Sequence, residues 1–297
     1  MLIISFTLIF LFFPACAQHN QSAESVLPKY FREIQRKSYP LPKELREISG
    51  LAMTPDGRLF AHDDEKSIIY QIDYNSGEIL KEFQVGDKKI KQDFEGITVV
   101  DQNIFLVSSS GDLYRFNEGQ NGDKVEFSRF ETDLSAKYDV EGLCYDPQTE
   151  DLLLACKGYA GKGFKDKKAV YAVSSKTLKM IPDPRFLIKE SDIVSEDRYS
   201  LLRKIGSFFL LPTQKSFSPS GIARHPRTGS YFILSADDPF LTELSSAGLI
   251  LGVVHLDASL HKQPEGIEFA PDLSLIIADE GGNSDGYISI YKYKNSE

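Results

Sequence analysis

Hydrophobic and polar residues alternate in short runs along most of the chain, and these runs come in repeating sets. In residues 49–85, the runs GLAMT, RLFAHD, SIIYQID and EILKEFQV are separated by turn sequences such as Pro-Asp-Gly at residues 55–57. Alternation with period two is typical of half-buried β-strands, and the runs lack helical periodicity. Four short antiparallel strands in about 40 residues are the content of one β-propeller blade.

The same set occurs five times, and a glycine marks the start of each repeat. The marker glycines are Gly50, Gly96, Gly142, Gly221 and Gly266, spaced by 46, 46, 79 and 45 residues. Self-similarity at this period indicates a propeller or a solenoid. The last set has only three strands, IEFAP, LSLIIAD and YISIYKY, so a closed ring needs one more strand. Residues 29–42, with the stretches YFREI and SYPL, are predicted to supply it.

The interval of 79 residues has a different pattern in its middle. Ser195, followed by two acidic residues, is typical of a helix N-cap with an acidic first turn. Apolar residues then recur at helical spacing as far as Phe209. The sequence therefore predicts an all-β fold, a β-propeller of five four-stranded blades with a helical insertion near residues 190–212. Six blades are the alternative.

The first 28 residues differ in character from the repeats. Residues 2–13 form an apolar run that is shorter than the ~20 residues of a membrane-spanning helix but typical of a signal-peptide core. The run ends in Phe-Pro-Ala-Cys, which is similar to a bacterial lipobox and predicts cleavage and lipidation at Cys16. An A-x-A pattern at residues 15–17 predicts ordinary secretion instead, and a buried N-terminal strand is a third interpretation.

These features predict the organisation and location of the protein. We expect a signal peptide with a lipobox-like end in residues 1–16, a polar tether in 17–28 and a propeller domain in 29–297. The expected location is the bacterial cell envelope, with a lipid anchor in the membrane; a secreted or periplasmic protein is the alternative. Only Cys144 and Cys156 remain after cleavage, and both lie in apolar strand-like runs, which favours two buried thiols over a disulfide.

Acidic residues recur at the start of the first strand in three repeats. Glu95, Glu141 and Glu265 each precede a marker glycine, which is expected to let the backbone turn tightly into the channel. Ser49 and Ser220 take this place in the other two repeats. Because the first strands surround the axis of a propeller, these side chains are expected at one end of the central channel. The second strands end at the same face and bring further carboxylates, those of Asp63, Asp238 and Asp279.

Converging carboxylates need charge compensation. Three of them within ~5 Å repel by ~3 kcal/mol per pair at an effective dielectric constant of 20. Either some are protonated or a cation lies between them. Ca²⁺ accepts all-oxygen ligands in a flexible ring, whereas Zn²⁺ is disfavoured because none of the 5 histidines pairs with another at ligand spacing.

We therefore predict Ca²⁺ bound by three glutamates, with three aspartates as outer or alternative ligands. The glutamates are Glu95, Glu141 and Glu265, and the aspartates are Asp63, Asp238 and Asp279. In the alternative interpretation each glutamate only caps neighbouring backbone N–H groups. A net charge of −9 argues against nucleic acid as a partner, since phosphates require a basic surface.

Five segments resemble the SdiA-regulated protein family of bacterial envelope proteins, which are distantly similar to NHL-repeat propellers. The segments are EISGLAMTPDGRLFAHDDEKSIIYQID, DFEGITVV, DVEGLCYDP, SPSGIARHP and PEGIEFAPDLSLIIADE, and the resemblance extends from about residue 39 to residue 293. It implies a five-bladed propeller with bound calcium. No defined biochemical activity is established for that family, so the resemblance implies none.

Three functions remain open. The first is a non-enzymatic, membrane-tethered, calcium-binding propeller that offers its channel face to a protein or small-molecule ligand. The second is a calcium-dependent hydrolase, similar to a lactonase, esterase or phosphoesterase, in which the ion polarises an ester or phosphate oxygen. The third is a scaffold without an ion. The sequence has no G-x-S-x-G, H-E-x-x-H or P-loop motif, and His62 is the only histidine considered as a base, although a structural role is favoured.

Overall fold

The computed structural model describes residues 24–32, 34–193 and 216–295 and contains five sheets around an axis. A short helix α1 (Pro28–Phe31) and the strand β1 (Arg36–Pro40) precede the repeats. Blade 1 consists of β2 (Ile48–Met53), β3 (Leu59–Asp63), β4 (Ile68–Ile72) and β5 (Ile79–Val85). Blade 2 consists of β6 (Phe94–Val100), β7 (Asn103–Ser108), β8 (Leu113–Asn117) and, after the short β9 (Lys124–Val125), β10 (Phe127–Phe130).

The remaining blades follow the same order. Blade 3 consists of β11 (Val140–Asp146), β12 (Asp151–Cys156), β13 (Lys167–Ser174) and β14 (Met180–Lys189). Blade 4 consists of β15 (Pro219–Arg224), β16 (Tyr231–Ser235), β17 (Phe240–Leu244) and β18 (Ile250–His255). Blade 5 contains β19 (Pro264–Phe269), β20 (Leu275–Asp279) and β21 (Tyr287–Tyr291). The predicted five-bladed propeller is confirmed.

The N-terminal strand closes the ring. β1 pairs antiparallel with β21, with Arg36 opposite Tyr291 and Pro40 opposite Tyr287. Blade 5 therefore has the order β1-β21-β20-β19 and four strands, like blades 2, 3 and 4. Of the two stretches predicted to supply this strand, SYPL contributes residues 38–40, whereas YFREI begins within α1. Because β1 is an edge strand, the missing N–H of Pro40 is tolerated there.

The hydrophobic core consists of five layers, each between two neighbouring blades. The layer between blades 1 and 2 contains Phe60 and Phe94, and the layer between blades 4 and 5 contains Phe232 and Phe269. The other three layers have the same construction. Neighbouring blades cover both faces of every blade. The strands nearest the axis are therefore buried along most of their length and do not alternate strictly between apolar and polar residues. Cys144 and Cys156 are free and buried in two of these layers, as predicted.

Residues 24–32 form a strap across blades 4 and 5. The buried carboxylate of Glu243 in β17 accepts hydrogen bonds from Ser25 Oγ at 2.7 Å and from the Val26 N–H at 2.8 Å. Tyr30, also buried, donates its hydroxyl hydrogen to the carbonyl oxygen of Leu273 at 2.8 Å. Leu273 lies in the turn after the first strand of blade 5, so the strap lies on the face opposite the starts of the first strands.

Three features differ from the sequence prediction or lie outside the described residues. The pattern of VEFSRF, residues 125–130, predicts one strand, but β9 pairs in parallel with β5 of blade 1, while β10 completes blade 2. The open edge of β5 accounts for this division, because it leaves backbone groups available for pairing. Of the predicted insertion at 190–212, residues 190–193 are helical and 194–215 lie outside the described residues, as do Cys16 and the predicted signal peptide. In the described part of the chain no helix is long and apolar enough to cross a membrane.

Candidate functional site

A β-bulge at the start of the first strand of every blade positions the repeat carboxylates. In each blade the pairing of the first two strands skips the residue before the marker glycine. The skipped residues are Ser49, Glu95, Glu141, Ser220 and Glu265. A bulge leaves its extra residue out of the ladder and changes the direction of its side chain. The bulge, repeated around the ring, therefore explains why an acidic or hydroxyl side chain recurs at this position.

The three glutamates and Ser49 line one narrow cavity at the axis, together with the five marker glycines. We call the three glutamates and Ser49 the axial mouth, and the face on which it opens the channel face. The cavity has a volume of about 10 Å³, which is room for roughly one water molecule. This size suits a single ion and excludes an organic molecule.

The marker glycines are required by close approach of neighbouring blades, not by a tight turn as the sequence analysis expected. None of them has a positive φ. A Cβ on Gly221 would lie 2.5 Å from the carbonyl oxygen of Glu265, and a Cβ on Gly96 would lie 2.7 Å from the backbone nitrogen of Leu143. At Gly96, Gly142 and Gly221 the first strands of adjacent blades thus meet backbone to backbone, and a side chain there would push them apart.

The three glutamates of the axial mouth have unequal partners. Glu95 Oε2 accepts a hydrogen bond from Ser49 Oγ at 3.1 Å. Glu141 Oε1 accepts one from Lys157 Nζ at 3.1 Å. Glu265 is only 8% exposed, and its Oε2 is buried without a hydrogen-bond partner. A buried carboxylate oxygen without a donor is costly unless the group is protonated or meets a cation.

Burial and mutual repulsion raise the pKa values of these carboxyl groups. The pKa of Glu95 rises to about 9, because of burial first and then the charges of Glu141 and Asp93. Burial, followed by the charge of Glu141, likewise raises the pKa of Glu265 to about 9. The pKa of Glu141 rises only to about 7, since the Lys157 ammonium offsets part of the burial. Without a cation, the axial mouth therefore holds protons at neutral pH.

The three aspartates predicted as outer ligands do not line the axial mouth. Asp63 Oδ2 forms an ion pair with Lys66 Nζ at 2.6 Å, and Asp279 Oδ2 pairs with His261 Nδ1 at 2.8 Å. Asp238 lies in the turn between β16 and β17. Among residues 24–32, 34–193 and 216–295, no three His, Cys, Asp or Glu side chains already form a group that could hold a metal ion.

Three further residues at the ends of the second strands belong to the channel face. Lys157 faces Glu141, and it follows the second strand of blade 3 as Asp64 and Glu280 follow those of blades 1 and 5. The pKa of Glu280 rises to about 7 because of burial and Glu47, and that of Asp64 rises to about 6 because of burial and Asp63. These acidic groups extend the negative surface of the channel face. Their position at the ends of the second strands is the sequence signal that places them on this face.

His62 is fully buried and does not line the axial mouth. A Cβ on Gly50 would lie 2.5 Å from His62 Nε2, which places the imidazole beneath the first strand of its own blade. Burial lowers the pKa of His62 to about 4, so the ring is neutral at physiological pH. This placement gives His62 the structural role that the sequence analysis favoured and keeps it from the solvent side of the mouth.

No protein-family model and no curated protein sequence matches this chain. Among solved structures, the chain is similar to glutaminyl cyclase from Myxococcus xanthus, with a TM-score of 0.53 and 11% sequence identity over 87% of this chain and 94% of that one. It is also similar to a luciferin-regenerating enzyme, with a TM-score of 0.51 and 10% identity over 87% of this chain and 95% of that one. At such low identity these likenesses concern the fold alone: the chain is a β-propeller.

Proposed function

We propose that this protein is a calcium-binding propeller of the bacterial envelope that works as a binding module through its channel face. The observation that carries the proposal is the axial mouth, where bulges in blades 2, 3 and 5 direct three glutamates to one narrow cavity. The resemblance of the sequence to the SdiA-regulated family also supports calcium as the ion and the bacterial envelope as the location. The unpartnered Oε2 of Glu265 supports a cation at this position.

The donor set suits a hard cation. Carboxylate and hydroxyl oxygens are ligands that Ca²⁺ accepts, and the volume of about 10 Å³ suits one ion. Glu95 and Glu265 would hold the ion by their carboxylates, and Ser49 would orient Glu95. Glu141 would join them after it releases Lys157. When bound, the ion supplies the positive charge that the carboxylates lack.

Two observations favour binding over hydrolysis. The axial mouth is too small for an organic substrate, and His62 is buried away from it. A larger ligand would therefore contact the rim of the channel face, where Asp64 and Glu280 lie. The hydrolase remains the second candidate; the similar solved structures carry the names of enzymes, but neither name is that of a hydrolase. A shared fold does not transfer an activity.

Calcium is expected to raise the melting temperature of the chelator-treated protein by about 5 °C. An ion that binds only the native state at a hundredfold excess over its Kd stabilises by ~2.7 kcal/mol, and ~1 kcal/mol corresponds to about 2 °C at this size. Glu141→Gln should reduce the increase, because it keeps the shape of the side chain and removes its charge. Glu131→Gln, a change at an exposed carboxylate in the loop after β10, is the matched control.

The pH dependence of the same melting curves separates calcium binding from simple capping. The pKa values of Glu95 and Glu265 are raised in the native state, so their stabilising effect is complete below about pH 4.5 and is lost as the pH rises through 9. The pKa values of His62 and His225 are lowered to about 4, so protonation of these two histidines destabilises the native protein only below about pH 6.5. Between pH 6.5 and 9, stability should therefore fall in chelator and stay level with calcium. A fall that calcium does not change would contradict the proposal.

The lipid anchor is the second part of the proposal. Cys16→Ser is expected to move the protein from the detergent phase to the aqueous phase, because it removes the thiol that would carry the lipid anchor. Since the strap binds the opposite face, an anchored protein would present its axial mouth away from the membrane. Detergent partitioning of protein from its natural host, with a Cys144→Ser control, measures this. Aqueous partitioning of both the unmodified protein and Cys16→Ser would contradict lipidation.

A further inference from the structure

Lys157 is the one basic residue among those that directly follow the second strands of the five blades. The residues at this position are Asp64, Ser109, Lys157, Ala236 and Glu280. Both backbone groups of Lys157 are bonded: its N–H donates to the carbonyl oxygen of Asp139 at 2.8 Å, and its own carbonyl oxygen accepts from Lys168 Nζ at 2.5 Å. The base of the side chain is therefore fixed, and its ammonium reaches Glu141 from a defined direction.

The Lys157 ammonium compensates one of three carboxylates. Its Nζ lies 3.1 Å from Glu141 Oε1, and its positive charge also acts on Glu265. Glu265 Oε2 nevertheless has no partner, although the residue is more than nine-tenths buried. One ammonium group thus does not balance the negative charge of three carboxylates. It also pairs with the Glu141 carboxylate, which a cation between the three glutamates would need as a ligand.

We propose that Lys157 is a built-in competitor that holds Glu141 in the cation-free protein and is displaced when a divalent cation enters the axial mouth. This inference rests on the proposed function. The displaced ammonium still repels an incoming cation, so Lys157 lowers the affinity of the site. A divalent ion that displaces the ammonium replaces one positive charge near the carboxylates by two, whereas a monovalent ion replaces one positive charge by one. Lys157 therefore selects for divalent cations and limits binding to environments rich in calcium.

Calcium titrations of four proteins test this role. Lys157→Met keeps most of the length of the side chain and removes its charge, so it should lower the calcium Kd at least tenfold by isothermal calorimetry. Lys157→Arg keeps the charge and should stay within about threefold of the unmodified protein. Lys137→Met is the matched control, because Lys137 belongs to the same face and contacts the rings of Tyr138 and Tyr159 instead of a carboxylate.

A second comparison links the effect to Glu141. In a Glu141→Gln background, Lys157→Met should give a much smaller gain, because the ion pair is already absent. Lys157→Gln, which retains a hydrogen-bond donor, provides a second neutral variant if the methionine protein does not fold. Melting temperatures in chelator establish that each variant is folded before it is titrated.

The outcomes separate this inference from the proposal of calcium binding. Equal Kd values for the unmodified protein and both neutral variants would overturn the role of Lys157 and leave the calcium site in place. Calcium binding by the neutral variants alone would support the competitor and overturn calcium binding by the natural protein. Failure of all these proteins to bind calcium would overturn both.

Discussion

A protein that begins at Lys43 is expected to lose cooperative unfolding and to self-associate. It lacks β1 (Arg36–Pro40), so β21 (Tyr287–Tyr291) becomes an exposed edge of a nearly complete sheet. Exposed edges pair with other chains, and without β1 only side-chain packing holds the first and last blades together. The truncation also removes the buried side chains of Leu27 and Tyr30, each of which contributes roughly 2 kcal/mol on burial.

Three proteins with different N-termini distinguish the contribution of the strand β1 from that of the strap. A protein starting at Glu24 retains both, one starting at Gln35 retains only β1, and one starting at Lys43 retains neither. The protein starting at Gln35 should unfold cooperatively at a lower denaturant concentration, because Glu243 loses its bonds to Ser25 and Val26 while the ring stays closed. Denaturant unfolding with light scattering measures both effects. Equal midpoints for the proteins starting at Glu24 and Lys43 would show that closure contributes nothing.

Much of the ring could be predicted from the sequence because each blade repeats the same local pattern. The strands of the first two blades follow from short runs of apolar residues and from the turn residues between them. The division of VEFSRF between β9 (Lys124–Val125) and β10 (Phe127–Phe130) could not be predicted, because it depends on the free edge of β5 in another blade. The helical turn of α1 likewise depends on the layer between blades 4 and 5, into which Tyr30 packs.

The candidate site, like the fold, could be predicted from the sequence only in part. The repeat placed Glu95, Glu141 and Glu265 at equivalent positions, and equivalent positions in a closed ring converge on its axis. The partners of the carboxylates were not predictable, because the repeat does not specify which neighbouring side chain reaches each of them. Asp279, for example, pairs with His261 of the preceding loop, and Glu141 pairs with Lys157 of another strand end. Such contacts depend on side-chain directions that spacing alone does not specify.

Gly221→Ala is expected to lower the free energy of unfolding by about 3 kcal/mol, the upper part of the range for overpacked sites. The new Cβ would lie 2.5 Å from the carbonyl oxygen of Glu265, a backbone atom that can move only if blade 5 moves away from blade 4. Gly266→Ala is the matched comparison. Its Cβ would lie 2.9 Å from Leu51 Cγ and 3.1 Å from Ala278 Cβ, which are side-chain atoms at longer distances, so a smaller loss of about 1 kcal/mol is expected.

The same substitution also tests the connection between the packing of the ring and the axial mouth. Because Gly221→Ala displaces the backbone of Glu265, it should weaken calcium binding more than its loss of stability alone predicts. Denaturant unfolding in chelator gives the two stabilities, and calorimetric titration of the folded variants gives the two affinities. If both variants lose the same stability, the backbone contact between the first strands of blades 4 and 5 does not set the spacing of the ring. If Gly221→Ala is less stable but binds calcium like the unmodified protein, Glu265 is not a ligand, because its carboxylate cannot keep its place when the backbone that carries it moves.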